Sequence, residues 1–123
     1  MTGTETILLV DDEDLLLRMG ETILSAYGYR VLTANSGQKA LELISQTQTP
    51  VDLLITDLVM PLMSGRELVE HVRRLSPATH VLCTSGHVWP GSKQETASFL
   101  QKPFSSQDLL RRVRQTLGAT IPS

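Results

Sequence analysis

The feature that most constrains this chain is a series of short apolar runs that stop abruptly at a polar residue and alternate with stretches of helical spacing. Ile7-Leu8-Leu9-Val10 ends at Asp11, Leu53-Leu54-Ile55-Thr56 ends at Asp57, and Val81-Leu82-Cys83-Thr84 ends at Ser85-Gly86. Arg30-Val31-Leu32-Thr33-Ala34 reads as a further strand, and Phe99-Leu100 as a short last one closed by Lys102-Pro103. Runs that are apolar on both faces suit parallel strands buried on both sides.

The intervening stretches have a different period. After Asp14, the residues Leu16, Met19, Ile23 and Tyr27 recur at helical spacing, and Gly28 supplies a stop. Residues 37–46 place Ala40, Leu41 and Ile44 on one face. Ser64-Gly65-Arg66-Glu67 is a capping box opening a helix predicted to bury Leu68, Val72 and Leu75. Ser105 with Asp108 repeats the device before Leu109, Leu110, Val113 and Leu117. Strand–helix alternation of this kind predicts an α/β fold, a flavodoxin-like, doubly wound five-stranded parallel sheet of order 2-1-3-4-5. Between Gly86 and Phe99 there is too little chain for a loop, a full helix and a second loop, so the fourth helix is expected to be shortened and confined by Pro90 and Gly91 to about residues 92–97.

At 123 residues the chain fits one domain, spanning 1–123 with its core at about 6–117. A net charge of −2 gives no general attraction to nucleic acid or anionic lipid. The single cysteine, Cys83, excludes an internal disulfide and a cysteine-based zinc site, and reads as an inert core thiol. His71, His80 and His87 do not fall at paired ligand spacings. Met1 to Glu5 lacks a signal-peptide pattern, and no apolar stretch approaches the roughly 20 residues that span a bilayer. A cytoplasmic domain with no direct nucleic-acid or membrane contact is expected.

The polar residues at the strand ends are the chemically informative set: Asp11 and Asp12 on the first, Asp57 on the third, Ser85 on the fourth, Lys102 on the fifth. Central strands lie about 4.8 Å apart, so the carboxylates of strands one and three meet in one crevice. Two like charges near 4 Å repel by about 4 kcal/mol at an effective dielectric near 20. Such a cluster needs a cation, or some of its members must be protonated, and hard oxygen ligands with open positions favour Mg²⁺. With a hydroxyl and a lysine beside them, these groups are equipped to accept a phosphoryl group on Asp57. Thr84 competes with Ser85 for the hydroxyl role; Ser85 is preferred because Gly86 leaves open backbone beside it while Thr84 alternates into the core.

Leu8-Leu9-Val10-Asp11-Asp12-Glu13, the run Asp57 to Gly65, Ser85-Gly86 and Lys102-Pro103-Phe104 resemble the receiver domain of two-component response regulators. The resemblance covers about Thr6 to Leu117. It implies that Asp57 is the phosphoacceptor, that Asp12 and Asp57 ligate Mg²⁺ with the backbone carbonyl of Val59, and that Asp11 assists through a water. It further implies that Ser85 is the switch hydroxyl, that Lys102 holds the phosphate, and that Phe99 is the rotating aromatic. The partner would be a phosphorylated histidine kinase or histidine phosphotransfer protein, and the domain itself a signalling acceptor rather than an enzyme. Val59 and His87 would flank the path of hydrolytic water and tune the lifetime of the phosphorylated state. Gly3 to Thr6 and the run Phe99 to Phe104 are similar to receivers attached to hybrid sensor histidine kinases. The short 87–98 segment puts in doubt the family's usual output and dimer face, leaves a homodimer open, and makes Trp89 a contact residue or a cover for the gap.

Other signals weigh less. Gly86 to Lys93 misses the P-loop pattern by one position and is interrupted by Pro90, so it is read as coincidence. Asp12-Glu13-Asp14 matches the D-x-D of aspartyl-phosphate phosphatases, which is kept as a lesser alternative, with a non-phosphorylated interaction module as the chief rival. Met60 and Met63 read as packing, and Arg111, Arg112 and Arg114 as the solvated, C-terminal basic face of the last helix.

Overall fold

Five parallel strands pair in the order β2-β1-β3-β4-β5, as the alternation requires. The computed structural model describes residues 3–47, 49–85 and 98–118. In chain order the elements are β1 (Thr6–Val10), α1 (Asp14–Ala26), β2 (Arg30–Ala34), α2 (Gly37–Gln46), β3 (Leu53–Asp57), α3 (Gly65–Leu75), β4 (His80–Ser85), β5 (Ser98–Gln101) and α4 (Ser106–Gly118). The expected short helix at 92–97, together with His87, Trp89 and the near-P-loop, lies outside the described residues.

Strand alternation sorts the core into two layers. Ile7, Leu9, Leu53, Ile55, Leu82 and Leu100 face α1 and α4, meeting Leu17, Leu24, Leu109 and Val113. Leu8, Val10, Leu54, Val81 and Cys83 face α2 and α3, meeting Ala40, Leu68 and Val72. Every residue of β1 and β3 is buried, the reason these strands show no polar alternation. Between them lies the switch point, where the first crossover runs outward to β2 and the chain returns on the other side of β1 to β3. Crevices at that point, outside the carboxyl ends of the strands, are where such sheets place ligands.

Both capping boxes form. Ser64 Oγ accepts the Glu67 N–H and Glu67 returns the bond to the Ser64 N–H. Ser105 and Asp108 exchange the same pair.

Three details differ from the sequence reading. On α1 the buried stripe is Leu17, Gly20 and Leu24, not the Leu16, Met19, Ile23, Tyr27 series, of which Met19 and Tyr27 are exposed. Gly20 is the cause: a Cβ there would stand 2.6 Å from Leu9 Cδ2, so the helix backbone itself presses on the sheet. Leu75, at the end of α3, is exposed, and Val69 is buried alongside Leu68 and Val72 instead. The arginines of α4 are not a simple solvated face. Arg112 Nη1 donates to the Phe99 carbonyl, Arg114 binds Glu5, and the last turn of the helix carries no basic residue.

Candidate functional site

The strand ends deliver their polar side chains to one recess over the β1–β3 switch point. Asp11 continues the ladder by donating its N–H to the Ala34 carbonyl at 3.2 Å, which fixes its backbone one residue past β1. Its Oδ1 accepts the Glu13 N–H at 2.9 Å and its Oδ2 accepts from Lys102 Nζ at 2.9 Å. Asp57 closes β3; its Oδ1 accepts the Val59 N–H at 3.2 Å and its Oδ2 takes a second bond from Lys102 Nζ at 3.0 Å. Both aspartates are buried, whereas Asp12 is exposed at the mouth.

The loop after Asp57 is held from below. Leu58 N–H donates to the Thr84 carbonyl at 2.9 Å, and Gly65 N–H donates to the Leu58 carbonyl at 3.0 Å. A Cβ at Gly65 would lie 2.1 Å from the Asp57 carbonyl oxygen, so only glycine lets α3 start this close to the strand end. Lys102 is anchored by its N–H to the Ser85 carbonyl at 2.8 Å, just before a cis Lys102–Pro103 peptide.

One donor atom from each of Asp11, Asp12 and Asp57 lies within 4.8 Å of the others. With Glu13 Oε1 3.9 Å from Lys102 Nζ, the ammonium faces three carboxylates, and Asp12 stands beside two of them. Burial works against the charge on Lys102, but its hydrogen bonds to Asp11 and Asp57, with their negative charge, outweigh this and hold its pKa above the ordinary lysine value. One ammonium still leaves negative charge in excess, and an all-oxygen, hard donor set of this kind fits a small divalent cation.

The remaining sequence-predicted residues divide by sheet face. Ser85 is fully buried at the end of β4. It shares a face with Cys83, whose register partner on β5 is Phe99, so Ser85 and Phe99 lie on the same side of the sheet. Phe99 is half-buried against the α2–α3 layer. Thr84 pairs in register with Asp57 and is buried on the face opposite to Ser85, toward α1 and α4. Val59 is half exposed beside Asp57. Met60 is buried, and Met63 packs against Gly37 at the start of α2.

Two features of the site were not read from the sequence. A largely apolar cavity of about 420 Å³ opens beside Asp11 and Lys102, between α1 and the start of α4, lined by Leu15, Leu16, Met19, Phe104 and Leu109. Glu13 reaches the rim close to Lys102, a placement its position next to the aspartate pair could have signalled.

A doubly wound sheet whose switch point gathers aspartates and one lysine defines a class of signalling domain, and the comparisons with known proteins agree. Residues 7–114 match the family model "Response regulator receiver domain", and the chain belongs to that family of two-component signalling domains. It is 34% identical to "Sensor kinase CckA" of Brucella abortus (strain 2308) over 122 residues, covering 95% of this chain and 13% of that protein. The chain thus spans a small part of that relative. Among solved structures it is similar to the chemotaxis protein CheY4 of Vibrio cholerae, with a TM-score of 0.84, 31% identity, and coverage of 93% of this chain and 99% of that one. It is likewise similar to the receiver domain from hybrid histidine kinase CckA, with a TM-score of 0.80, 34% identity, and coverage of 91% and 98%. No described helix is long and apolar enough to cross a membrane.

Proposed function

We propose that this chain is a single receiver domain whose Asp57 accepts a phosphoryl group from a phosphohistidine on a histidine kinase or histidine phosphotransfer protein in the cytoplasm. An Asp57 carboxylate oxygen attacks phosphorus, the P–N bond to the donor imidazole breaks, and its electron pair returns to the ring nitrogen, which takes up a proton from solvent. The product is an acyl phosphate on Asp57. The observation that carries this reading is the bridging of Asp11 and Asp57 by Lys102 Nζ at 2.9 and 3.0 Å in a buried recess at the switch point.

In this reading Asp11, Asp12 and Asp57, with the Val59 carbonyl, would hold Mg²⁺. The ion, when bound, supplies positive charge for the transferring phosphoryl oxygens. Lys102 turns its ammonium from the carboxylates to a phosphoryl oxygen, and Ser85 donates its hydroxyl to another. Phe99, on the same sheet face as Ser85, repacks as Ser85 moves, which carries the change of state to the surface. The likeness to sensor kinase CckA supports an origin behind a hybrid kinase.

Incubation with acetyl phosphate, with and without Mg²⁺, tests the reading by intact mass. One added phosphoryl group that requires the ion and is absent in Asp57→Asn is the expected result. An unchanged mass together with no Mg²⁺-dependent spectral or thermal shift would overturn it in favour of a non-phosphorylated interaction module. Repeated turnover of a small phosphoester would point instead to a phosphatase.

A further inference from the structure

Lys102 has a third neighbour that the acceptor chemistry above does not use. Glu13 Oε1 stands 3.9 Å from Lys102 Nζ, beyond hydrogen-bond reach but within ion-pair range, and the Glu13 side chain is 64% exposed. Glu13 is also the N-cap of α1, yet its side chain makes no cap hydrogen bond. N-caps favour Ser, Thr, Asp and Asn because a short side chain reaches back to the first turn, so a glutamate here brings no capping benefit. Its backbone is held at both polar atoms: the N–H donates to Asp11 Oδ1 at 2.9 Å and the carbonyl accepts the Leu17 N–H at 3.1 Å. The carboxylate therefore leaves a fixed point and is aimed at the ammonium instead of the helix.

Lys102 occupies the same oxygens that a divalent ion would need. Its Nζ sits on Asp11 Oδ2 and Asp57 Oδ2, two members of the three-aspartate group whose donor atoms lie within 4.8 Å of one another. An ammonium and a dication cannot share those atoms without strong repulsion. Among the described residues, the ion pairs of Lys102 are with Asp11, Asp57 and Glu13. Resting on the acceptor reading, we propose that Glu13 is a positioning residue that receives the Lys102 ammonium when Asp11 is drawn into holding a divalent ion. Lys102 then stays over Asp57 rather than swinging out to solvent.

Mn²⁺ binding to the purified protein, followed by electron paramagnetic resonance, tests this in the wild type, Glu13→Gln, Lys102→Met and the double variant, with Glu21→Gln on the exposed face of α1 as control. The expected result is that Glu13→Gln weakens Mn²⁺ binding about five-fold in the wild-type background and changes it less than about 1.5-fold once Lys102 is gone. Because Glu13 makes no cap bond, its thermal midpoint stays at the wild-type value, and Glu21→Gln changes neither quantity. An equal loss in both backgrounds would mean that Glu13 acts only by its charge on the ion, and overturns the proposal, as does no loss in either. If the wild type binds no Mn²⁺ and takes no phosphoryl group, the acceptor reading itself fails and the inference falls with it.

Discussion

The two ends of the sheet use charge in opposite ways. At the amino ends of the strands, Arg114 of α4 meets Glu5 in a two-pronged pair at 2.8 and 3.3 Å and donates to the Tyr29 hydroxyl at 3.3 Å. One cation answers one anion, both partly open to water, and the Arg114 hydrogen bond holds the Glu5 carboxyl below its ordinary value. At the carboxyl ends, Lys102 faces Asp11, Asp57 and Glu13 with Asp12 alongside, and the two carboxylates it bridges are buried. The first arrangement is electrostatically closed and ties β1, β2 and α4 together. The second is left short of positive charge, and a site that is short of charge has affinity to spend on a ligand. Charge is balanced at one end of the sheet and left unbalanced at the other.

Removing the bridging ammonium of Lys102 should break the contrast most severely. Lys102→Met leaves the buried Asp11 and Asp57 without their cationic partner, each keeping only a backbone N–H, and is expected to lower unfolding free energy by about 3 kcal/mol in EDTA. Millimolar Mg²⁺ should restore most of that loss, as read from urea midpoints. Gly65→Ala attacks the floor of the same pocket: its Cβ meets backbone rather than a yielding side chain, and a loss of about 2 kcal/mol is expected on the same measurement.

Smaller effects sharpen the comparison through their signs. Asp57→Asn removes one of the repelling charges while Lys102 keeps Asp11, so it should raise metal-free stability by about 1 kcal/mol even as it abolishes the proposed phosphorylation. Glu5→Gln should do the reverse, lowering stability by less than about 1 kcal/mol at neutral pH, and less again in high salt. A carboxyl whose folded pKa is depressed contributes above its unfolded value of 4.5, and that contribution is lost as pH falls through the folded one. Wild-type and Glu5→Gln midpoints should therefore converge in acid. Convergence at alkaline pH instead would show that the pair is not what the variant disrupts.

Much of the fold was legible because burial on both faces leaves a plain mark. The strands opening at Ile7 to Val10 and Leu53 to Ile55 carry unbroken apolar runs, and Ser64–Glu67 and Ser105–Asp108 announce their helices by local hydrogen bonding. The α1 face was misread because a glycine carries no hydropathy, although at Gly20 it is the closest point of the helix to the sheet. Arg112 and Arg114 look like surface charge in any local window, since their partners at Phe99, Glu5 and Tyr29 are distant in sequence or on another element. The recess was legible as a list of strand-end residues, but neither the cavity between α1 and α4 nor the approach of Glu13 to Lys102 has a periodicity to betray it.

Periodicity and punctuation alone determined the order of strands and helices, the faces of the sheet that are buried, and which chemical groups stand at the strand ends. Tertiary structure alone decided that Lys102, 91 residues from Asp11 and 45 from Asp57, would lie between them. Hydrophobic patterning is a local property of the chain, repeating within a few residues. Ion pairing is set over a few ångströms by strand register and loop closure, which a linear sequence does not state.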